Sequence, residues 1–249
     1  MERVYGIHTV SALLARAPQR VRRVCLLRGR TDQRVAALET LAREAGRALE
    51  RVDAAALRSM VGEVNHQGVV AEIDALPLLT EDGLYALLAT AKDPLLLALD
   101  GVQDPHNLGA CLRTADACGA LAVIVPRDRA ASLNAGARKV AAGAAETTPV
   151  VTVTNLSRTL GVVKDAGLWT VGADASAPVS AAGVDLTGPR CLVLGAEGSG
   201  LRELTRRNCD WLVRLPNLGA VESLNVSVAA GMLLYEAVRQ RDGALSPTI

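Results

Sequence analysis

The stretch LLLALDGVQDPHNLGACLRTADACGALAVIV, Leu95–Val125, decides the fold. Two short apolar runs, Leu95–Leu99 and Leu121–Val125, flank a segment of helical pattern. Each run is nearly continuous rather than alternating, as in a strand buried on both faces of a parallel sheet. Asp104-Pro105 is a helix start. The Asp side chain can accept from the free N–H groups of the first turn. Pro fits the first helical position because its missing N–H would have had no partner there.

The same rhythm continues outward from this unit. Further apolar runs stand at Val150–Val153, Leu168–Val171, Cys191–Leu194 and Leu212–Leu215. Helical patterns fall around 108–118, 131–142, 156–166, 201–207 and 226–239. The expected fold class is α/β: a mostly parallel sheet with helices on both faces. Before it, a helix at Ile7–Ala17, a strand at Val21–Leu27, a helix at Asp32–Ala45 closed by Gly46, and a strand at Gly68–Ile73 form a smaller α/β module. The expected organisation is 1–74 for the module, 75–92 for a linker with one short helical stretch, and 93–249 for the larger domain. A chain of 249 residues is long enough for two such domains.

Composition narrows the chemistry. The net charge of +1 gives no global field toward nucleic acid or membrane. Locally the balance differs: Met1–Arg51 holds 11 Arg against 5 acidic residues, a net +6. That is either a solvated basic face or a docking face for an anionic partner. Five cysteines, an odd number with no C-x-x-C spacing, read as reduced thiols rather than a disulfide frame or a zinc site. No metal is expected. No uncharged apolar run nears the ~20 residues of a membrane span. MERVYGIH lacks the apolar core of a signal peptide. A cytoplasmic location is therefore expected. With two Trp, three Tyr and no Phe, a stacking platform for single-stranded bases is disfavoured.

Three polar blocks each follow an expected strand, so all three can face one crevice at the strands' carboxyl ends, where open α/β sheets bind ligands. The first, Gly101–Asp116, carries Asp104, Asn107 and Arg113. Each alone reads as a capped helix with a surface Arg. Together they suit an anion such as phosphate, which an Arg fork grips. The second, GAEGSG at Gly195–Gly200, allows a tight turn and close backbone approach, with Glu197 inside it. Its glycine order is not the dinucleotide G-x-G-x-x-G, which argues against a nucleotide-binding oxidoreductase. The third, Leu215–Asn225, offers Glu222, Ser223 and Asn225 before a helix in which Ala229, Ala230 and Gly231 allow very close packing. A helix cap needs only one of Ser223 and Asn225.

These blocks resemble the three motifs of the SpoU/TrmH class of RNA 2′-O-methyltransferases. Within that class the match is closest to bacterial members that methylate a guanosine ribose in 23S ribosomal RNA. GIHTVSALL, NHQGVVAEI, VIVPRDRAASLNAGARKVAAGAAE, VTVTNLSRTL, GAEGSGLRELTR and SLNVSVAAGMLLYEAVRQR extend the resemblance over nearly the whole chain. The loop PNLGAVESLN departs in composition but keeps Ser223, Leu224 and Asn225.

The resemblance implies a C-terminal trefoil knot, a homodimer with the active site at its interface, and S-adenosylmethionine bent in the knot. Gly195, Leu215 and Leu224 match positions whose backbones hold the cofactor. Asn107, Arg113, Glu197, Ser223 and Asn225 match the catalytic set. The N-terminal module would grip RNA, with Arg22, Arg23, Arg28, Arg30 and His66 as candidate contacts. Arg113 is expected to clamp the target phosphate and stabilise the developing alkoxide, since a guanidinium with a pKa above 12 is a poor base. Glu197 is expected to fix Arg113 or other donors. Two alternatives stay open: a relative acting on transfer RNA or another ribosomal RNA site, and a non-catalytic RNA-binding relative.

Overall fold

The computed structural model describes residues 2–74, 78–221 and 223–245. The chain divides into two units, 1–77 with 142–147, and 78–141 with 148–249. In chain order the first holds β1 (Glu2–Tyr5), α1 (Ile7–Arg16), β2 (Val21–Leu27), α2 (Gln33–Glu44), β3 (Ala48–Val52), α3 (Ala54–Val61) and β4 (Val69–Ile73). The second holds α4 (Glu81–Thr90), β5 (Leu95–Asp100), α5 (Pro105–Ala117), β6 (Ala122–Pro126), α6 (Ala135–Val140), β7 (Val150–Val153), α7 (Leu156–Asp165), β8 (Trp169–Ala173), β9 (Val179–Ser180), β10 (Arg190–Gly195), α8 (Glu203–Asn208), β11 (Trp211–Arg214) and α9 (Val226–Leu245).

In the first unit a four-stranded sheet runs β1-β4-β2-β3. α1 buries Ile7, Val10, Leu13 and Leu14, a helical spacing that gives one apolar stripe. That stripe packs with Val35 and Leu38 of α2 over Val24, Leu26, Ala71 and Ile73 of the sheet. Leu57 of α3 covers the opposite face with Cys25 and Val70. The segment 142–147 belongs here through Glu146, whose carboxylate is 2% exposed and 2.9 Å from Arg20 Nη2.

The second unit is a seven-stranded sheet in the order β7-β6-β5-β10-β8-β11-β9. Every pair in it is parallel. α4 and α7 cover one face, where Leu84, Leu156, Leu160 and Val163 meet Leu96, Ile124, Val151 and Val193. α5 and α9 cover the other. Each fully buried Leu contributes about 1.5–3 kcal/mol. Leu84 lies in this core at 0% exposure, so α4, which falls inside the expected linker, works as part of the second unit; residues 75–77 of that linker lie outside the described residues. α6 is shorter than the expected 131–142 because Asn134 starts it late, its side chain accepting from Ala137 N at 3.0 Å.

The strand order sets the site. From β5 the chain moves one way through β6 to β7, then crosses to β8 and β9 and returns to β10 beside β5. The direction of winding reverses between β5 and β10, so a crevice opens at their carboxyl ends. In register there, Gly195 stands beside Asp100.

Candidate active site

α5 starts as its sequence reads. Asp104 Oδ1 accepts from His106 N at 2.9 Å, with Pro105 next. That backbone bond, aided by the His106 ring, holds the Asp104 carboxyl below its ordinary range. Asn107 stands in the first turn. Its Nδ2 donates to Glu197 Oε1 at 3.2 Å, ninety residues away in sequence.

Glu197 is where the three loops converge. Its Oε1 accepts from Asn107 Nδ2, from Asn225 Nδ2 at 2.6 Å and from Val226 N at 3.2 Å. Asn225 uses both ends of its amide. Oδ1 caps α9, accepting from Ser227 N at 2.9 Å and Ser227 Oγ at 2.6 Å, while Nδ2 reaches Glu197 and Asn107 Oδ1 at 3.0 Å. Of the two possible caps, Asn225 is the one used. Glu197 also adds to burial in pushing the Cys111 thiol up to about 12, so that thiol is an inert packer.

The glycine-rich turn beside this cluster is closed on itself. A Cβ on Gly195 would stand 2.0 Å from Gly200 C and 2.3 Å from Leu201 N, so only glycine fits. Next to it is a cavity of about 350 Å³ lined by Leu194–Gly198, Leu215, Asn217, Ser223, Leu224 and the turn leaving β8, Ala173–Ala175. Its size suits a nucleoside-sized ligand. Gly195, Leu215 and Leu224, expected to hold a cofactor through their backbones, all line it. Asn217 Nδ2 donates to Val221 O at 2.7 Å and braces the loop between. Glu222 lies outside the described residues. A larger cavity of about 750 Å³ adjoins through Leu215 and Asn217, reaching Met232, Tyr235 and Glu236.

The end of β8 had no role in the sequence reading. Asp174 there accepts from Ser176 N at 2.8 Å, Ser176 Oγ at 2.6 Å and Arg206 Nε at 2.6 Å. Burial pushes its carboxyl up, but these donors outweigh it and hold the carboxyl below the ordinary range. The available signal was a short polar turn, DAS, directly after an expected strand.

Arg113 does not join the cluster. It is exposed and makes no hydrogen bond or ion pair with a described residue. Six residues separate it from Asn107, which on a helix is about 9 Å of rise and roughly 240° of rotation, so the two side chains leave α5 on different sides. The expected Glu197–Arg113 contact is replaced by Glu197 with two Asn side chains and the start of α9. α5 and α9 run side by side from this point, with Gly231 set against Thr114, where an added Cβ would meet Thr114 Cγ2 at 3.7 Å.

In the first unit the candidate RNA contacts are largely engaged. Arg22 pairs with Asp74 at 2.7 Å, Arg23 with both Glu50 and Glu72 at 2.7 Å, and Arg30 with Asp32 at 2.5 Å. His66 Nδ1 accepts from Gly68 N at 3.0 Å. Arg28 is exposed and has no carboxylate partner among the described residues.

A family model described as the SpoU rRNA Methylase family matches residues 94–235, and one described as RNA 2′-O ribose methyltransferase substrate binding matches residues 3–79. The 23S rRNA (guanosine-2′-O-)-methyltransferase RlmB of Pseudomonas syringae pv. tomato is 52% identical over 248 residues, covering 99% of each chain. RlmB of Haemophilus influenzae is 51% identical over 245 residues, covering 98% of this chain and 99% of that one. Among solved structures, the SpoU methyltransferase AviRb from Streptomyces viridochromogenes, in complex with the cofactor AdoMet, matches with a TM-score of 0.74 and 27% identity, covering 97% of this chain and 90% of that one.

Proposed function

The chain belongs to the SpoU rRNA methylase family, and from that membership we propose that it transfers a methyl group from S-adenosylmethionine to the ribose 2′-hydroxyl of a guanosine in 23S ribosomal RNA. The observation that carries this reading is the convergence of Asn107, Glu197 and Asn225 beside a nucleoside-sized cavity floored by the Gly195–Gly200 turn. When bound, S-adenosylmethionine supplies an activated methyl group. The backbones of Gly195, Leu215 and Leu224 would hold it.

The chain's own side chains then have to orient a weak nucleophile, and alignment alone can supply several kcal/mol. Glu197 fixes the two Asn amides, and Asn107, Ser223 and Asn225 face the ribose. Arg113 clamps the target phosphate and stabilises the alkoxide as the hydroxyl proton passes to solvent water. Its outward direction on α5 favours a site completed by a second copy of the chain. Exposed Leu218, Val221, Val228 and Tyr235, 99%, 63%, 50% and 65% accessible, support a homodimer through the α9 side. The turn after β10 and the return of α9 beside α5 fit a C-terminal trefoil knot. The N-terminal module, 1–74, grips RNA, with Arg28 an exposed cation that has no carboxylate partner among the described residues. Ribosomal RNA as substrate supports a cytoplasmic location.

The test is methyl transfer from labelled S-adenosylmethionine to deproteinised 23S ribosomal RNA. The expected result is one guanosine whose 3′ phosphodiester resists alkali, because its 2′-oxygen is blocked. Label appearing only in transfer RNA would move the substrate. No transfer to any RNA would leave a binding protein.

A further inference from the structure

Asp100 closes β5 with a side chain 0% exposed. Its Oδ2 accepts from Arg202 N at 2.8 Å. Its Oδ1, also buried, finds no hydrogen-bond partner, and the nearest cation is Arg202 Nε at 3.6 Å. A buried carboxylate is costly unless its charge is compensated. Arg202 therefore answers Asp100 twice, by its backbone and by its charge.

The guanidinium is poised rather than consumed. The Arg202 side chain is 46% exposed, and no described residue accepts a hydrogen bond from it. It lies across Gly101, with Nη2 3.0 Å from where a Cβ would stand. The loop on one side of it leads to Asn107, and the loop on the other carries Glu197. A half-exposed planar fork with unspent donors, backed by a buried counter-charge at the rim of a crevice, is an arrangement that grips phosphate.

We propose that Arg202 grips a backbone phosphate of the RNA next to the target ribose, and that Asp100 is the positioning residue that aims it. This rests on the reading of the chain as an RNA methyltransferase. Arg202 is a second cation for the substrate, separate from Arg113. The 3.6 Å gap leaves the fork free to close on Asp100 when its other donors are engaged.

The experiment compares Arg202→Ala, Arg202→Lys, Asp100→Asn and the double variant Asp100→Asn/Arg202→Ala in the full chain. Measured are kcat and KM for deproteinised 23S ribosomal RNA across a potassium chloride series, and S-adenosylmethionine affinity by calorimetry. Arg202→Ala should raise the RNA KM about tenfold, the scale of one charge-assisted contact, with a smaller effect on kcat. It should also reduce the slope of log(kcat/KM) against log salt by about 0.7–0.9, the loss of one phosphate contact. Arg202→Lys should restore that slope but only part of KM, because an ammonium lacks the fork. Asp100→Asn should raise KM when Arg202 is present and add nothing once it is Ala. Cofactor affinity should stay within about twofold throughout.

An unchanged KM and slope in Arg202→Ala, or a loss confined to cofactor affinity, would overturn the phosphate contact. Additive effects in the double variant would overturn the aiming role of Asp100. In both cases the unaltered chain still methylates RNA, so the proposed function stands. Absence of transfer by the unaltered chain would overturn both.

Discussion

At the residue scale, one carboxylate oxygen organises the site. Glu197 Oε1 takes three donors, two of them amides that also bond to each other. A Gln at this position keeps the shape but loses the charge that makes these bonds strong. Misplacing a reacting group by about 1 Å costs on the order of 100-fold in rate. Glu197→Gln should therefore lower kcat about 100-fold while circular dichroism and cofactor affinity stay near normal. A variant with unimpaired turnover would remove Glu197 from the site. Residue pattern alone read Glu197 as an acid in a glycine loop and the family resemblance put it in the catalytic set, but only the tertiary structure showed which donors it collects.

At the element scale, α5 must lie flat against α6 and α9. A Cβ on Gly109 would stand 2.3 Å from Ala137 O and 2.9 Å from Val140 Cβ. Backbone cannot yield as a side chain can, so Gly109→Ala should cost about 1–3 kcal/mol, read as a lower urea midpoint at unchanged slope. α9 is anchored further along. Gln240 accepts from Leu186 N at 2.7 Å and donates to Val184 O at 3.1 Å. Beside it, hydrogen bonds from Arg239, aided by Gln240, outweigh burial and hold the Glu236 carboxyl down at about 2.

An unfolded Glu titrates near ~4.3. Folding thus favours the charged form of Glu236. Its contribution is complete above that pH and is lost as pH falls toward 2. Thermal melts between pH 6 and 2.5 should show a shallower acid loss for Glu236→Gln than for the unaltered chain. Parallel curves would show that the pair with Arg239, itself 54% exposed, is too well solvated to matter.

At the scale of the whole molecule, the excess of arginine in the N-terminal part is mostly neutralised internally. Arg23 spans Glu50 and Glu72, the latter only 5% exposed, whereas Arg28 is exposed and has no carboxylate partner among the described residues. Removing these two should have different consequences. Arg28→Ala should raise the RNA KM and flatten its salt dependence with no change in melting temperature. Arg23→Ala should lower the melting temperature, because it strips a buried acid of its main partner. The exposed apolar residues on the α9 side lead to a separate expectation. Sedimentation equilibrium should give twice the chain's 25.9 kDa, and Tyr235→Asp with Leu218→Asp should shift it toward one copy. If the unaltered chain sediments as a monomer, Arg113 must reach the substrate within one copy.

The sequence by itself determined the layered architecture and the location of the chemistry. Buried parallel strands must be continuously apolar, and helix starts need caps, so strands, helices and the three polar blocks could be read locally from period and residue type. It also resolved Asp104 as a cap, because a cap is a contact two residues long. What it left open were contacts that span the fold. The reach of the Asn225 amide to Glu197, the separation of Arg113 from Glu197, the pairing of Asp100 with Arg202 and the membership of 142–147 in the first unit all depend on side chains about 28 to 126 residues apart in sequence. Local pattern carries no information about such distances, which are set by strand order, and strand order is settled only when the whole sheet packs.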